Sequence, residues 1–366
     1  MQSLSENKSL DLISRLVIVP TDHLAAGTFP PELERTVLQI SKTDFDVLVA
    51  LADTNHVIVR GLDNFRKITA KAGDEMRTGW ADEALTAERA RIDNAVPNLF
   101  QITNAFTNRR LNVAVIKSLD HMPDLGSDLD LFTNASPAQV IGLMREEFNA
   151  VPDGRSWGDR LAGKWNFIVP GLPELVEIHV GRLGQTGEQF AIASSLIDRT
   201  RCISVGDMMF RVPAVSDRLM ISTLQRMYRH FYFRLCDVID SAQLVEMGMV
   251  DYDDLYVAAK TAGIWEGMAT YLAIVSDYVK RFRGQGLDIP QWVLKAARFD
   301  GREIFFAKDF LRVPILPQSA MLYGKQLVGT FRRRQIQSGA RLSLLPWLAT
   351  AALVGQKITG SDKGIW

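Results

Sequence analysis

Cysteine is scarce in this sequence. The two residues present among 366, Cys202 and Cys236, form no C-x-x-C pair, which argues against a disulfide framework and against a zinc site. Net charge is missing as well: 42 Lys plus Arg balance 42 Asp plus Glu. A chain without a positive field over its whole surface is not built for bulk nucleic-acid binding, although a local basic patch stays open. There is no long hydrophobic run. The N-terminal MQSLSENKSLDLISRL has neither the basic start nor the apolar stretch of a signal peptide. The C-terminal LSLLPWLATAALVG is too short for a bilayer span and carries Pro346, so it reads as a buried helix. No fixed repeat and no Ser/Gly/Pro-rich linker interrupts the chain. The expectation is a cytoplasmic protein with no membrane span, in the composition range of ordinary folded domains at 47% hydrophobic and 23% charged residues.

The residues that are present divide the chain by texture. Residues 1–104 read as helical, with Leu10, Leu12, Ile13 and Leu16 on one face and capped or proline-led starts near Pro31 and Thr43-Asp44. Residues 105–212 change character. LNVAVIK and DLDLFT read as strands, SPAQVIGLMREEFNA as a helix capped by Ser136, and KWNFIV and LVEIHV as a hairpin around the PGLPE turn. GEQFAIASSLIDRT reads as a helix, and CISV and MMFRV as short strands. Residues 213–285 return to helix, beginning with one long segment from Asp217 to Gly248. Residues 286–366 are mixed. The fold class expected is α/β in the α+β sense: a small mixed sheet, flanked by helices, with helical N- and C-terminal regions packed on it as one body.

The sharpest chemical signal is Gly126-Ser127-Asp128-Leu129-Asp130-Leu131-Phe132. Residues two apart on a strand share a face, so Asp128 and Asp130 point together while Leu129 and Leu131 enter the core. Adjacent carboxylates repel and are costly to desolvate, and a cation relieves both problems. Hard oxygen donors suit Mg²⁺ or Mn²⁺. Glu177, on the strand LVEIHV, is the candidate third carboxylate, and it shares its face with His179. A D-x-D pair also occurs in glycosyltransferases and at solvated strand ends, so both of those readings stay open.

The order of strand, Lys-Ser turn, D-x-D strand, helix and later acidic strand resembles the polymerase-β-type nucleotidyltransferase superfamily. The similarity is greatest to an uncharacterised nucleotidyltransferase family with a K-G…D-x-D-L pattern, an acidic-x-H strand and a helix bearing H…R…D. Here those elements are Lys117-Ser118, Asp128-Leu129-Asp130-Leu131, Glu177-Ile178-His179 and His230…Arg234…Asp237…Asp240, within residues 110–245. The resemblance implies a nucleotidyltransferase core and two-metal transfer of a nucleoside monophosphate from a triphosphate to an acceptor: a small molecule, sugar, peptide or RNA. It implies Asp128, Asp130 and Glu177 as catalytic metal ligands, with Lys117, Ser118, His179 and Arg234 around the nucleotide. Ser118 replaces the family's glycine, which keeps a non-catalytic binding protein of the same fold as an alternative. Lys117 could equally be a solvated strand end, Ser118 a turn-former, and His179 a satisfied buried histidine. His121 reads as a surface residue, and Asp237 and Asp240 as a salt-bridged helix face. Lys164 and Arg182 are possible phosphate or acceptor contacts. The Arg332-Arg333-Arg334 run reads as a solvated face.

Overall fold

The structure is a computed structural model and describes residues 7–348, 350 and 351. Six helices come first: α1 (Lys8–Val17), α2 (Thr21–Ala26), α3 (Pro31–Gln39), α4 (Lys42–Thr54), α5 (Ile58–Lys71) and α6 (Glu75–Asn108). Local chemistry starts them where the sequence suggests. The Asn7 side chain accepts from the Leu10 N–H, Ser41 accepts from Asp44, and Asp74 accepts from Arg77. Their shared core holds Ile13, Leu16, Val37, Leu48, Leu62, Phe65, Leu99 and Phe106, all essentially inaccessible to solvent. Each such burial contributes about 1.5–3 kcal/mol against the conformational entropy of ordering the chain.

Next comes a five-stranded mixed sheet in the order β1-β2-β5-β4-β3. Its strands are β1 (Val113–Val115), β2 (Asp128–Thr133), β3 (Val151–Pro152), β4 (Lys164–Ile168) and β5 (Leu175–Val180). Helix α7 (Pro137–Phe148) connects β2 to β3 behind a capping box made by Ser136 and Gln139. β4 and β5 form the expected hairpin, and β5 then lies parallel to β2 with Asp130 opposite Glu177. That register sets the site, because partners opposite each other in a sheet project from the same face. Short helices α8 (Trp157–Ala162) and α9 (Phe190–Ser195) follow, with the hairpin β6 (Thr200–Val205) and β7 (Met208–Pro213). The helix expected over GEQFAIASSLIDRT is confined to α9; the Glu188 carboxylate instead accepts from the N–H and hydroxyl of Thr186, holding the preceding residues in a turn.

The single long helix expected from Asp217 to Gly248 is broken in two. Helix α10 (Val215–Thr223) widens into a π-helical stretch over Leu224–His230, and Phe231 then takes a left-handed conformation at φ +54°. Tyr232 and Phe233 form β8, which pairs with Phe310–Arg312, and helix α11 (Leu235–Glu246) begins afresh. The Asp237 carboxylate receives the Arg234 N–H at 2.7 Å and starts this second helix. Helices α12 (Tyr252–Ala262), α13 (Trp265–Arg283) and α14 (Gln291–Leu294) come next. Strands β9 (Phe305–Ala307) and β10 (Phe310–Arg312) precede α15 (Ala320–Arg332) and α16 (Ile336–Leu342). Of the C-terminal apolar stretch, Leu344 and Trp347 lie exposed rather than buried, and residues beyond 351 fall outside the described part. No described helix is long and apolar enough to cross a membrane.

Candidate functional site

β1 ends at a strained turn. The Ser118 N–H donates to the Ile116 carbonyl at 2.7 Å, closing a three-residue γ-turn at Lys117, whose φ is +64° and ψ −56°. Ser118 then ties this turn to β2: its hydroxyl accepts the Asp130 N–H at 2.8 Å and donates to the Asp128 carbonyl. With a 1% exposed side chain committed to two backbone groups, Ser118 shapes the turn.

The turn aims Lys117 across the face of β2 and β5. Its ammonium lies 2.6 Å from Asp130 and 4.0 Å from Glu177, while Lys164, from β4, lies 2.5 Å from the other Glu177 oxygen. Glu177 also accepts a hydrogen bond from His179 Nε2 at 2.8 Å. Burial pushes the Asp130 carboxyl up to about 7; Glu177 and Asp128 add to this and Lys117 opposes it. Burial acts on Glu177 in the same direction, yet Lys117, His179 and Lys164 together hold it well below the usual carboxylate range. Asp128 is only half-buried, and its pKa is raised by burial and by Glu177.

The tightest group differs from the expected one. Ligand atoms of Asp130, Glu177 and His179 lie within 4.8 Å of one another, with Asp128 on the same cleft at the more open end of β2. Two carboxylates and an imidazole, with a third carboxylate alongside, fit a divalent ion of the Mn²⁺ or Mg²⁺ kind. The Asp130 oxygen facing Lys117 has no well-aligned hydrogen bond, and His179 Nδ1 has no partner.

Facing these acids is a basic wall that the sequence only partly disclosed. The π-helical stretch swings Arg226, Arg229 and His230 toward the sheet, and Arg234 follows from the start of α11. Arg226 is neutralised by Asp237 at 2.8 Å. Arg229 and Arg234 have no acidic partner among the described residues, and the Nε of each is buried without an acceptor. Arg234 instead lies over the Phe310 ring at 5.8 Å. Two imidazoles at the rim, buried His56 and half-buried His230, are held neutral. His230 is pushed well below its ordinary value by burial and then by Arg229, and His56 falls to about 2 through burial and Arg234. The cleft between wall and sheet measures about 740 Å³.

Two residues, His121 and Arg182, stand elsewhere than expected. His121 is not a surface residue: its ring stacks on His56 at 5.9 Å, and its Nδ1 bonds Asp240 at 2.5 Å. Asp240 in turn pairs with Arg60 of α5 at 2.7 Å, so α5, the turn-rich loop and α11 meet in one buried network. Cys236 also approaches His121 and Asp240, in a group that Arg60 already neutralises. Arg182 leaves the cleft and reaches toward the Leu161 carbonyl, whereas Lys164 lies inside it. The Arg332–Arg334 run is exposed. Sequence reasoning passed over Arg229 and His56. The only signal was R-x-x-R-H ahead of a Phe/Tyr run, which stays concealed while that segment is read as continuous helix.

No protein-family model and no curated protein matches this chain.

Proposed function

We propose that the chain is a metal-dependent nucleotidyltransferase of the polymerase-β type, moving a nucleoside monophosphate from a triphosphate to an acceptor. One observation carries the reading: a cluster of three carboxylates faces two half-buried arginines, Arg229 and Arg234, whose Nε atoms are buried without an acceptor and which lack any acidic partner among the described residues. An uncompensated buried guanidinium is costly and calls for an anion, and a metal–triphosphate complex brings positive charge to the acids and negative charge to the arginines at once. Arg229 and Arg234 would hold the phosphates in line. Asp128, Asp130 and Glu177 would hold Mg²⁺ or Mn²⁺. Such an ion, when bound, supplies charge neutralisation at the transferring phosphoryl group. Lys117, released from Asp130, would turn onto the leaving phosphates. Lys164 and His179 keep Glu177 anionic and oriented, ready to take the acceptor's proton. Positioning and preorganised charge would contribute most of the acceleration.

A second reading has its own support. Lys117 already sits 2.6 Å from Asp130, and Ser118 has no free hydroxyl for phosphate, as in a nucleotide-binding protein without turnover. A D-x-D glycosyltransferase has less support, since the described residues ahead of the acidic pair are six helices and one short strand rather than an α/β nucleotide-sugar domain. Incubation of the purified chain with each α-labelled triphosphate, Mg²⁺ or Mn²⁺, and cell extract tests the proposal. Transfer of label in wild type and its loss in Asp130→Asn is the expected result. Metal-dependent triphosphate binding without transfer would favour the binding-protein reading, and absence of binding would sink both.

A further inference from the structure

Beside the polar cleft lies a second chamber, open to solvent, that the proposed transfer does not yet use. The two spaces share Lys117, Gln225 and Arg229 on their walls. They also meet at the pair Glu177–His179: Glu177 borders the polar cleft, His179 borders the chamber, and the two are bonded at 2.8 Å. Leu183, Ile221, Leu224, Leu342 and Leu345 make the chamber apolar.

Buried polar side chains break that lining, Gln326 and Glu188 among them. Gln326, from α15, is 1% exposed, and its Oε1 has no partner. Glu188 is 8% exposed and makes no ion pair among the described residues. One of its oxygens accepts from the Thr186 N–H at 2.9 Å and from the Thr186 hydroxyl at 3.0 Å. The carboxylate is seated over Gly184, where a Cβ would come within 2.3 Å of it and where φ is +88°, so a side chain at that position would displace it. The chamber thus offers hydrogen-bond acceptors at one end and bare hydrocarbon along its sides. Burial without a donor is costly for the Gln326 oxygen, and burial without a cation is costly for the Glu188 carboxylate, which Thr186 satisfies at one oxygen.

We infer that this chamber seats the acceptor, and that the acceptor is a small amphipathic molecule with an apolar body, an amino group directed to Glu188 and Gln326, and its nucleophilic hydroxyl at Glu177. The inference rests on the nucleotidyl-transfer reading for the direction of chemistry. Arg229 and Arg234 line the polar cleft, and the chamber adjoins it at the His179 that holds Glu177. In the step itself the acceptor oxygen bonds to the α-phosphorus, the bond from that phosphorus to the departing pyrophosphate breaks, and the acceptor's proton passes to Glu177. A nucleic-acid acceptor would need a basic track with exposed stacking surfaces, and these walls are neither.

Tyramine is a suitable probe, since it carries a hydroxyl and an ammonium at opposite ends of an apolar ring; 4-ethylphenol lacks the ammonium. Calorimetric titration of the full chain, with Mg²⁺ and α,β-methylene-ATP present, is expected to give tyramine an affinity at least about tenfold above that of 4-ethylphenol, the scale of one charge-assisted hydrogen bond. Glu188→Gln should erase that preference, Gln326→Leu should reduce it, and Ile221→Trp, which fills the chamber, should abolish binding of both compounds. Melting curves without ligand check each variant's fold, and Gln326→Leu carries the test if Glu188→Gln does not fold. Equal affinity for the two compounds, no binding of either, or an undiminished preference in both polar variants would overturn the inference. Titration of α,β-methylene-ATP alone keeps the two readings apart: an amine preference without metal-dependent triphosphate binding removes the transfer reading, and the reverse removes only the acceptor assignment.

Discussion

Lys117 occupies a backbone conformation that a side chain ordinarily avoids, at φ +64° within a γ-turn. Such strain costs on the order of 1–3 kcal/mol and persists only where the surroundings enforce it, here the Ser118 bridge to β2. Two variants separate backbone from side chain. Lys117→Gly and Lys117→Ala both remove the ammonium, but only glycine relieves the turn. We expect the glycine variant to be more stable than the alanine variant by about 1 kcal/mol in urea titrations, and both to bind triphosphate more weakly than wild type. A residue of different character, His121, gives a pH signature. Burial acts to lower its pKa, but Cys236 and Asp240 hold it well above the ordinary 6.5. A raised imidazole pKa means that the folded chain keeps its proton while the unfolded chain has released it. Its stabilisation is therefore complete below about pH 6.5 and is lost as pH climbs through the folded value. The stability gap between wild type and His121→Gln should narrow from pH 6 to pH 9 in chemical denaturation; a gap that widens would refute the pairing.

At the scale of elements, the break between α10 and α11 decides what the site can do. It turns a helix face into a wall, and Asp237 holds its two edges by receiving both the Arg226 guanidinium and the Arg234 N–H. Removing this 4% exposed carboxylate strands a buried arginine and a helix start together. Asp237→Ala should therefore cost about 3–5 kcal/mol in denaturant unfolding and also weaken triphosphate binding, which a purely local loss of cap would not do. This element also marks the limit of what the sequence discloses. Asp128, Asp130 and Glu177 were legible because strand alternation is a strict period of two and the PGLPE turn declares its hairpin. The wall was not, because apolar residues continue at helical spacing through Leu219, Met220, Leu224 and Met227 and on into α11. What ends the helix is one left-handed residue, Phe231, and pairing with a strand some eighty positions later. Long-range pairing leaves no local trace. The inclusion of His179 in the tight group was half legible: alternation gave its face, but only the β2–β5 register gives its distance.

Over the whole molecule, buried ion pairs and hydrogen bonds tie the helical N-terminal region to the sheet and to α11. Arg60 of α5 pairs with Asp240 of α11 and donates to the His121 and Met122 carbonyls, and the Asp124 carboxylate receives the Val59 N–H at 2.6 Å. Arg91 of α6 reaches Glu174 beside β5 at 2.7 Å. A fragment of residues 105–212 would leave Asp124 and Glu174 buried without partners. It should fail to give a cooperative melting transition, whereas the full chain should melt in one. The paired lysines carry a different consequence. Lys117 and Lys164 serve as resident counter-ions for Asp130 and Glu177, so a bare divalent ion would have to evict positive charge that has nowhere to go. A triphosphate supplies the destination. Metal and nucleotide should accordingly enter as partners rather than in sequence, each raising the other's affinity by the same factor. Calorimetric titration of Mn²⁺ should give weak binding to the chain alone and much tighter binding once a triphosphate analogue is present, with Lys117→Ala shrinking that difference because the vacated acid welcomes the ion unaided.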